Sequence, residues 1–161
     1  MSRQYEELEH FLAAVGNMGA KKDAFFIVKL HPDLYDRVRQ TEETLKGLSA
    51  RHMVVGTQYS AYELLSAADA MVSFDADGLW LESLYFDVDS LLITPGQKTP
   101  LPFKAMEGAV MVSDDLGDLA RLDQMRAAID PAKREEARRQ LFFRRDFASA
   151  PRVVDRLVEL V

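Results

Sequence analysis

Apolar and polar positions along this chain switch repeatedly between a period of 3.6 and a period of two, and the switches mark out its elements. Tyr5 to Met18 sets Leu8, Phe11, Leu12 and Val15 on one face, with Gly16 and Gly19 at the fraying end, which predicts an amphipathic helix. Ala24 to Leu30, AFFIVKL, is almost continuously apolar and ends at His31-Pro32; such a run predicts a strand buried on both faces, stopped by the proline. Residues 33–48 are polar with scattered Leu, Tyr and Val and predict one or two helical pieces ending near Gly47. His52 to Val55 is a second strand, and after the Gly56-Thr57-Gln58 turn Ser60 and Glu63 form a capping-box pattern for a helix reaching Ala68.

The chain then changes period most sharply. Ala70 to Phe74 is a third strand, Asp75-Ala76-Asp77-Gly78 a turn, and Leu79, Glu82 and Tyr85 fall at helical spacing. Ser90 to Thr94 predicts a fourth strand closed by Pro95-Gly96, and Ala109 to Ser113 a fifth. Residues 95–105 hold three prolines and no periodicity, the composition of a surface loop. Asp114 and Asp115 precede a helix from Leu116, Asp130-Pro131 gives an N-cap with proline at N1 for a long charged helix, and Pro151 opens a last one.

Five short strands alternating with helices predict an α/β fold of three layers, a five-stranded parallel sheet with helices on both faces. The expected order is the flavodoxin-like 2-1-3-4-5, in a single domain over residues 1–161. That order pairs the first strand directly with the third. It also sets the His31 and Asp75 turns across the crevice at the carboxyl edge, where such sheets bind ligands.

Composition changes this picture little. With 48% apolar and 29% charged residues the chain is ordinary globular material; no window is long and apolar enough for a membrane span, and a cytoplasmic protein is expected. The absence of cysteine removes disulfides and thiolate metal sites. The net charge of −6, without a dense basic stripe, argues against nucleic-acid binding. Residues 133–161 nevertheless carry eight Lys and Arg against five Asp and Glu, and they read either as solvated helical faces or as a basic tail for peripheral contact with an anionic partner or membrane surface.

The candidate chemistry lies at the strand ends. Lys29 inside an apolar strand needs an acid, a phosphate or an edge along which to snorkel, and His31 serves either a backbone carbonyl or a phosphate. Asp75 and Asp77 are either turn and N-cap residues or an oxygen pair for Mg²⁺; they satisfy neither an EF-hand nor a phosphate-receiver pattern, and no metal site is assigned. Glu82, one turn into its helix, either complements the helix dipole or accepts two hydrogen bonds from ribose hydroxyls. Trp80 reads as packing rather than base stacking.

Several of these residues recur in a known order. Ile27-Val28-Lys29-Leu30-His31-Pro32, Tyr62-Glu63-Leu64-Leu65-Ser66-Ala67-Ala68-Asp69, then Ser73 and Gly78 with Glu82-Ser83-Leu84, continuing through Val110 to Leu119 and a terminal helix led by Arg152, resemble the carboxyl-terminal, donor-binding half of GT-B glycosyltransferases. The likeness is nearest to CDP-glycerol glycerophosphotransferases, capsule polysaccharide enzymes and UDP-N-acetylglucosamine 2-epimerases, and it spans nearly the whole chain. The resemblance implies a nucleotide-diphosphate sugar or alditol as ligand and no further cofactor. It places the diphosphate at His31 and the turn Asp75, Ala76, Asp77 and Gly78, and the ribose at Glu82; Lys29 joins the candidate site from its own position in the strand. It also implies an amino-terminal acceptor domain or partner chain for turnover, and so binding without catalysis here. The turn departs from the pattern: the 2-epimerases carry Asp-Ser-Gly-Gly and the glycerophosphotransferases a Ser-Ser pair, so a hydroxyl is lost and a carboxylate gained. The resembling domains also begin with a strand ahead of the first helix, where only four residues precede Tyr5. A non-catalytic α/β interaction module is the alternative, and a Mg²⁺-dependent phosphohydrolase using Asp75 and Asp77 a third.

Overall fold

The protein is described from a computed structural model over residues 9–16, 24–47, 51–74, 78–94 and 104–142. Helix α1 covers residues 9–16, with Leu12 and Val15 buried as the amphipathic pattern requires. Strand β1 (Phe26–Lys29) leads into a 3-10 helix, Pro32–Arg37, and α2 (Val38–Gly47). Strand β2 (His52–Val55), α3 (Ala61–Ala67), β3 (Ala70–Phe74), α4 (Leu79–Phe86) and β4 (Asp89–Ile93) then alternate. Beyond the loop come 3-10 helix Lys104–Met106, β5 (Met111–Ser113), 3-10 helix Leu116–Arg121, α5 (Leu122–Ala127) and α6 (Pro131–Leu141).

Local signals act as the side-chain chemistry demands. Ser60 Oγ accepts from the Glu63 N–H at 3.2 Å while the Glu63 carboxylate takes the Ser60 N–H at 2.7 Å, so both halves of the capping box form. Asp130 Oδ1 accepts from the Ala132 N–H at 2.8 Å, with Pro131 pre-set at the first helical position. Asp115 likewise caps the turn beginning at Leu116 through Gly117 N–H.

The fold is α/β, and among the described residues every strand pair is parallel, but the strands form two sheets rather than the single five-stranded sheet expected. β1 pairs with β2 in parallel, from Phe26 with His52 to Lys29 with Val55. β3, β4 and β5 form a second parallel sheet in that order, with Ala70 beside Asp89 and Leu91 beside Met111. Among the described residues no ladder joins β1 to β3, so the direct pairing of Ala24–Leu30 with Ala70–Phe74 is corrected. Hydrophobic period fixes which residue faces the core; it does not fix which backbone edge meets which. Here side chains, rather than a ladder, bridge the two sheets. Leu12, Val15, Leu30, Leu45, Val54, Leu91, Ile93, Met111 and Leu119 form one buried cluster drawing on both.

A second cluster, Trp80, Leu84, Met106, Ala109, Val110 and Ala137, packs α4 and α6 together, and Trp80 is a packing residue as its sequence context suggests. Polar contacts reinforce that layer. Asp89, at the start of β4, receives Arg126 Nε at 2.8 Å and is hydrogen-bonded by Arg134. Arg138 reaches Asp87 and the Leu84 carbonyl, the latter at 3.0 Å. Asp87 caps α4 in the left-handed region at φ 65, which aspartate tolerates better than most side chains.

Candidate functional site

The carboxyl ends of the parallel strands gather the polar groups. At the end of β1, His31 stands with an extended backbone as the cap of the 3-10 helix, and its Nδ1 accepts the Asp33 N–H at 3.3 Å. In the neutral ring this leaves the proton on Nε2, so the outer edge of an exposed imidazole is a hydrogen-bond donor. The Asp33 carboxylate lies 3.4 Å from Nδ1 and would hold the protonated ring as well. The expected partner of His31 was a backbone carbonyl or a ligand; the partner found is a backbone N–H.

Lys29 is accounted for within the chain. Its ammonium donates to the Gly56 carbonyl and, at 3.0 Å, to the Tyr35 hydroxyl, and lies 4.9 Å from the Tyr35 ring centre. The cation-π and hydrogen-bond partners together explain how a lysine sits in this strand without an acid. Gly56 in turn donates its N–H to the Gln58 side chain at 2.7 Å, which fixes the loop after β2.

On the second sheet, Asp75, Ala76 and Asp77 lie outside the described residues, so the turn's own geometry is not part of the description. Gly78 is the cap residue of α4 and makes no side-chain capping bond, having no side chain to do so. One turn on, Glu82 Oε1 accepts the Tyr62 hydroxyl at 3.1 Å across the α3–α4 contact. Hydrogen bonding to that carboxylate, and then its charge, raise the Tyr62 phenol above its ordinary pKa. Tyr62 also stacks on Phe86, with ring centres 5.9 Å apart. At the end of β5, Ser113 Oγ donates to Asp118 at 2.6 Å and accepts from the Asp115 N–H, and Asp118 pairs with Arg121 at 3.1 Å.

Two polar groups thus emerge: Lys29 and His31 with Tyr35, Gly56 and Asp33 on one sheet, and Glu82 with Tyr62 on the other. No hydrogen bond or ion pair among the described residues links the two. Neither Tyr35 nor Tyr62 was given a site role by the sequence, although Tyr62 opens one of the resembling runs and each lies near a flagged residue in the chain or fold. Tyr35 falls six residues after Lys29 and Tyr62 twenty before Glu82; only the first spacing offered a local signal, a hydroxyl one 3-10 turn beyond the His-Pro stop.

Among the described residues no three of His, Asp and Glu come together as a metal site, and no helix is long and apolar enough to cross a membrane. Comparison with protein-family models, curated proteins and solved structures finds no match to this chain.

Proposed function

We propose that this domain binds the diphosphate of a nucleotide-linked sugar or alditol, as the donor-binding part of a GT-B-like transferase of surface polysaccharide synthesis. The observation that carries the proposal is His31. Its own turn holds the ring so that Nε2–H points outward as a donor at the carboxyl end of a parallel strand, where α/β sheets receive phosphates. The α4 terminus beginning at Gly78 supplies backbone N–H groups and a positive dipole end, and Glu82 offers its second carboxylate oxygen to a ribose hydroxyl beside Tyr62. In this proposal β2, β1, β3, β4 and β5 stand in that order, with β1 and β3 flanking the crevice. Turnover requires a partner domain or chain to close over the donor and exclude water.

The test is calorimetric titration of the purified chain with CDP, UDP, GDP and ADP and their sugar or alditol conjugates, with and without Mg²⁺, in parallel with His31→Ala and Glu82→Gln. One nucleotide should bind, more weakly in both variants, without hydrolysis or transfer. Multiple turnovers lost in His31→Ala would show instead that the site is complete in this chain. Asp77→Ser separates the role of the acidic turn: a large gain in affinity means that the carboxylate repels phosphate, whereas a Mg²⁺ requirement lost in the variant means that it holds a metal. A thermal rise with Mg²⁺ alone would favour a phosphohydrolase.

One observation favours the alternative of an interaction module. The Lys29 ammonium is already held by Gly56 and Tyr35, so the strongest fixed charge expected for a phosphate is engaged internally. Silence toward every nucleotide tested would decide for that alternative.

A further inference from the structure

Tyr62 ties α3 to the carboxylate proposed to meet the ribose. The capping box of Ser60 and Glu63 fixes the first turn of α3 and sets Tyr62 as its second residue. From there the side chain lies along α4: the ring stacks on Phe86, with centres 5.9 Å and planes 20° apart, and the hydroxyl donates to Glu82 Oε1 at 3.1 Å. A cap behind the residue, a ring beside it and a hydrogen bond at its tip hold the phenol in one place. Tyr62 is nevertheless 53% exposed, and its bond to Glu82 lies at the surface. The hydroxyl is therefore fixed without being closed off from a ligand.

The hydrogen bond also divides the acceptors of the pair. A free carboxylate has two oxygens and can take two ribose hydroxyls by itself. Here Oε1 is engaged by the phenol, and Oε2 has no partner among the described residues. Tyr62 has one proton and directs it at Glu82, so toward an incoming hydroxyl its oxygen only accepts. It keeps that proton: hydrogen bonding to the carboxylate, and then the carboxylate's charge, hold the phenol above its ordinary pKa. Two acceptor oxygens, Tyr62 Oη and Glu82 Oε2, thus stand on adjoining groups. Such a pair matches two neighbouring O–H donors, which a vicinal diol supplies, and it repels a second anion.

We infer that Tyr62 determines the sugar specificity of the nucleotide site: its phenolic oxygen accepts one of the two vicinal ribose hydroxyls, and Glu82 Oε2 accepts the other. The inference rests on the proposed binding of a nucleotide at Glu82 and assigns how its sugar is read. The site selects ribonucleotides over both 2′-deoxy and 3′-deoxy nucleotides, because loss of either hydroxyl leaves a different acceptor unpaired.

The test is calorimetric titration of wild type and Tyr62→Phe with CDP, UDP, GDP and ADP, and with the 2′-deoxy and 3′-deoxy form of each. Phenylalanine keeps a ring against Phe86 and removes only the oxygen; the Tm of the variant, measured alongside, should match the wild type at this exposed position. Wild type should bind the ribonucleotide about tenfold tighter than either deoxy form, the scale of one hydrogen bond to a charged or polarised group. In Tyr62→Phe one of these two penalties should vanish and the other persist. Persistence of both would show that Glu82 reads both hydroxyls alone, and loss of both that Tyr62 only orients Glu82. Either result, or a wild type indifferent to both deletions, overturns the inference while the donor-binding reading stands. Absence of binding by every ribonucleotide and deoxynucleotide to the wild type would overturn that reading and the inference with it.

Discussion

Replacing Asp89 by Ala should be among the most damaging single changes outside the apolar core. The Asp89 side chain is 20% exposed and that of Arg134 10%, and the Arg134 Nε and Nη2 atoms have no hydrogen-bond partner among the described residues. Among the described residues, removing the carboxylate leaves a nearly buried guanidinium with only the more distant Asp87, 3.6 Å from Nη2, to balance it. Breaking one side of a buried pair costs about 3 kcal/mol or more, because a charge is left without compensation. For a chain of this size that corresponds to a fall in Tm of roughly 6–12 °C. Urea denaturation of the wild type, Asp89→Ala, Arg134→Met and the double variant would measure it. The double variant should recover most of the loss, since it removes both charges and retains packing volume. A loss below about 1 kcal/mol for Asp89→Ala, the scale of an exposed pair, would refute this account of α6 anchoring.

Acid should expose the same contact. Burial alone would raise the Asp89 pKa, but hydrogen bonds from Arg126 and Arg134 and their charges outweigh it and hold the carboxyl below its ordinary value. The stabilisation is therefore fully present above the unfolded carboxyl range near about 4 and is lost as pH falls through the depressed folded value; the stability gap between wild type and Asp89→Asn, measured by urea titration, should narrow on acidification. Ser60→Ala removes the acceptor for Glu63 N–H and should cost about 1 kcal/mol by thermal unfolding. Gly108 has φ 79, and a Cβ there would lie 2.8 Å from Lys133 Cδ; Gly108→Ala should cost about 1–2 kcal/mol, and a Lys133→Ala background should return only the steric part. Leu84 is fully buried between α4 and α6, and Leu84→Ala should cost about 2–5 kcal/mol in the same assay.

The elements were legible wherever one chemical signal acts over a few residues. His52–Val55 and Ala70–Phe74 form the strands that their apolar runs predict, and Ser60 with Glu63 and Asp130 with Pro131 form the caps that their chemistry demands. Boundaries shifted where a backbone bond outside the sheet intervened: Ala109 and Val110 N–H both turn back to the Met106 carbonyl, so β5 begins at Met111 instead of Ala109. The 3-10 stretches beginning at Pro32 and Leu116 were read as helix, because three and 3.6 residues per turn differ little over six positions. What could not be read was every contact between distant segments. The division of the sheet depends on backbone edges, and the partners of Lys29 and Glu82 depend on folding that brings Gly56 and Tyr62 to them. Asp75 and Asp77, the residues that most alter the resembling turn, lie outside the described residues.

The separation of β1 and β2 from β3, β4 and β5 has a thermodynamic consequence. Hydrogen-bonded ladders fix strands to one another at defined spacing, whereas a shared apolar cluster can loosen by degrees. β4 is held on both sides by ladders, with Leu91, Leu92 and Ile93 almost wholly buried; among the described residues β1 has a ladder on one side only. Two units of unequal strength coupled through side chains need not melt together. Heat unfolding should accordingly depart from a single two-state transition, with a van't Hoff enthalpy below the calorimetric one and the weaker half melting first.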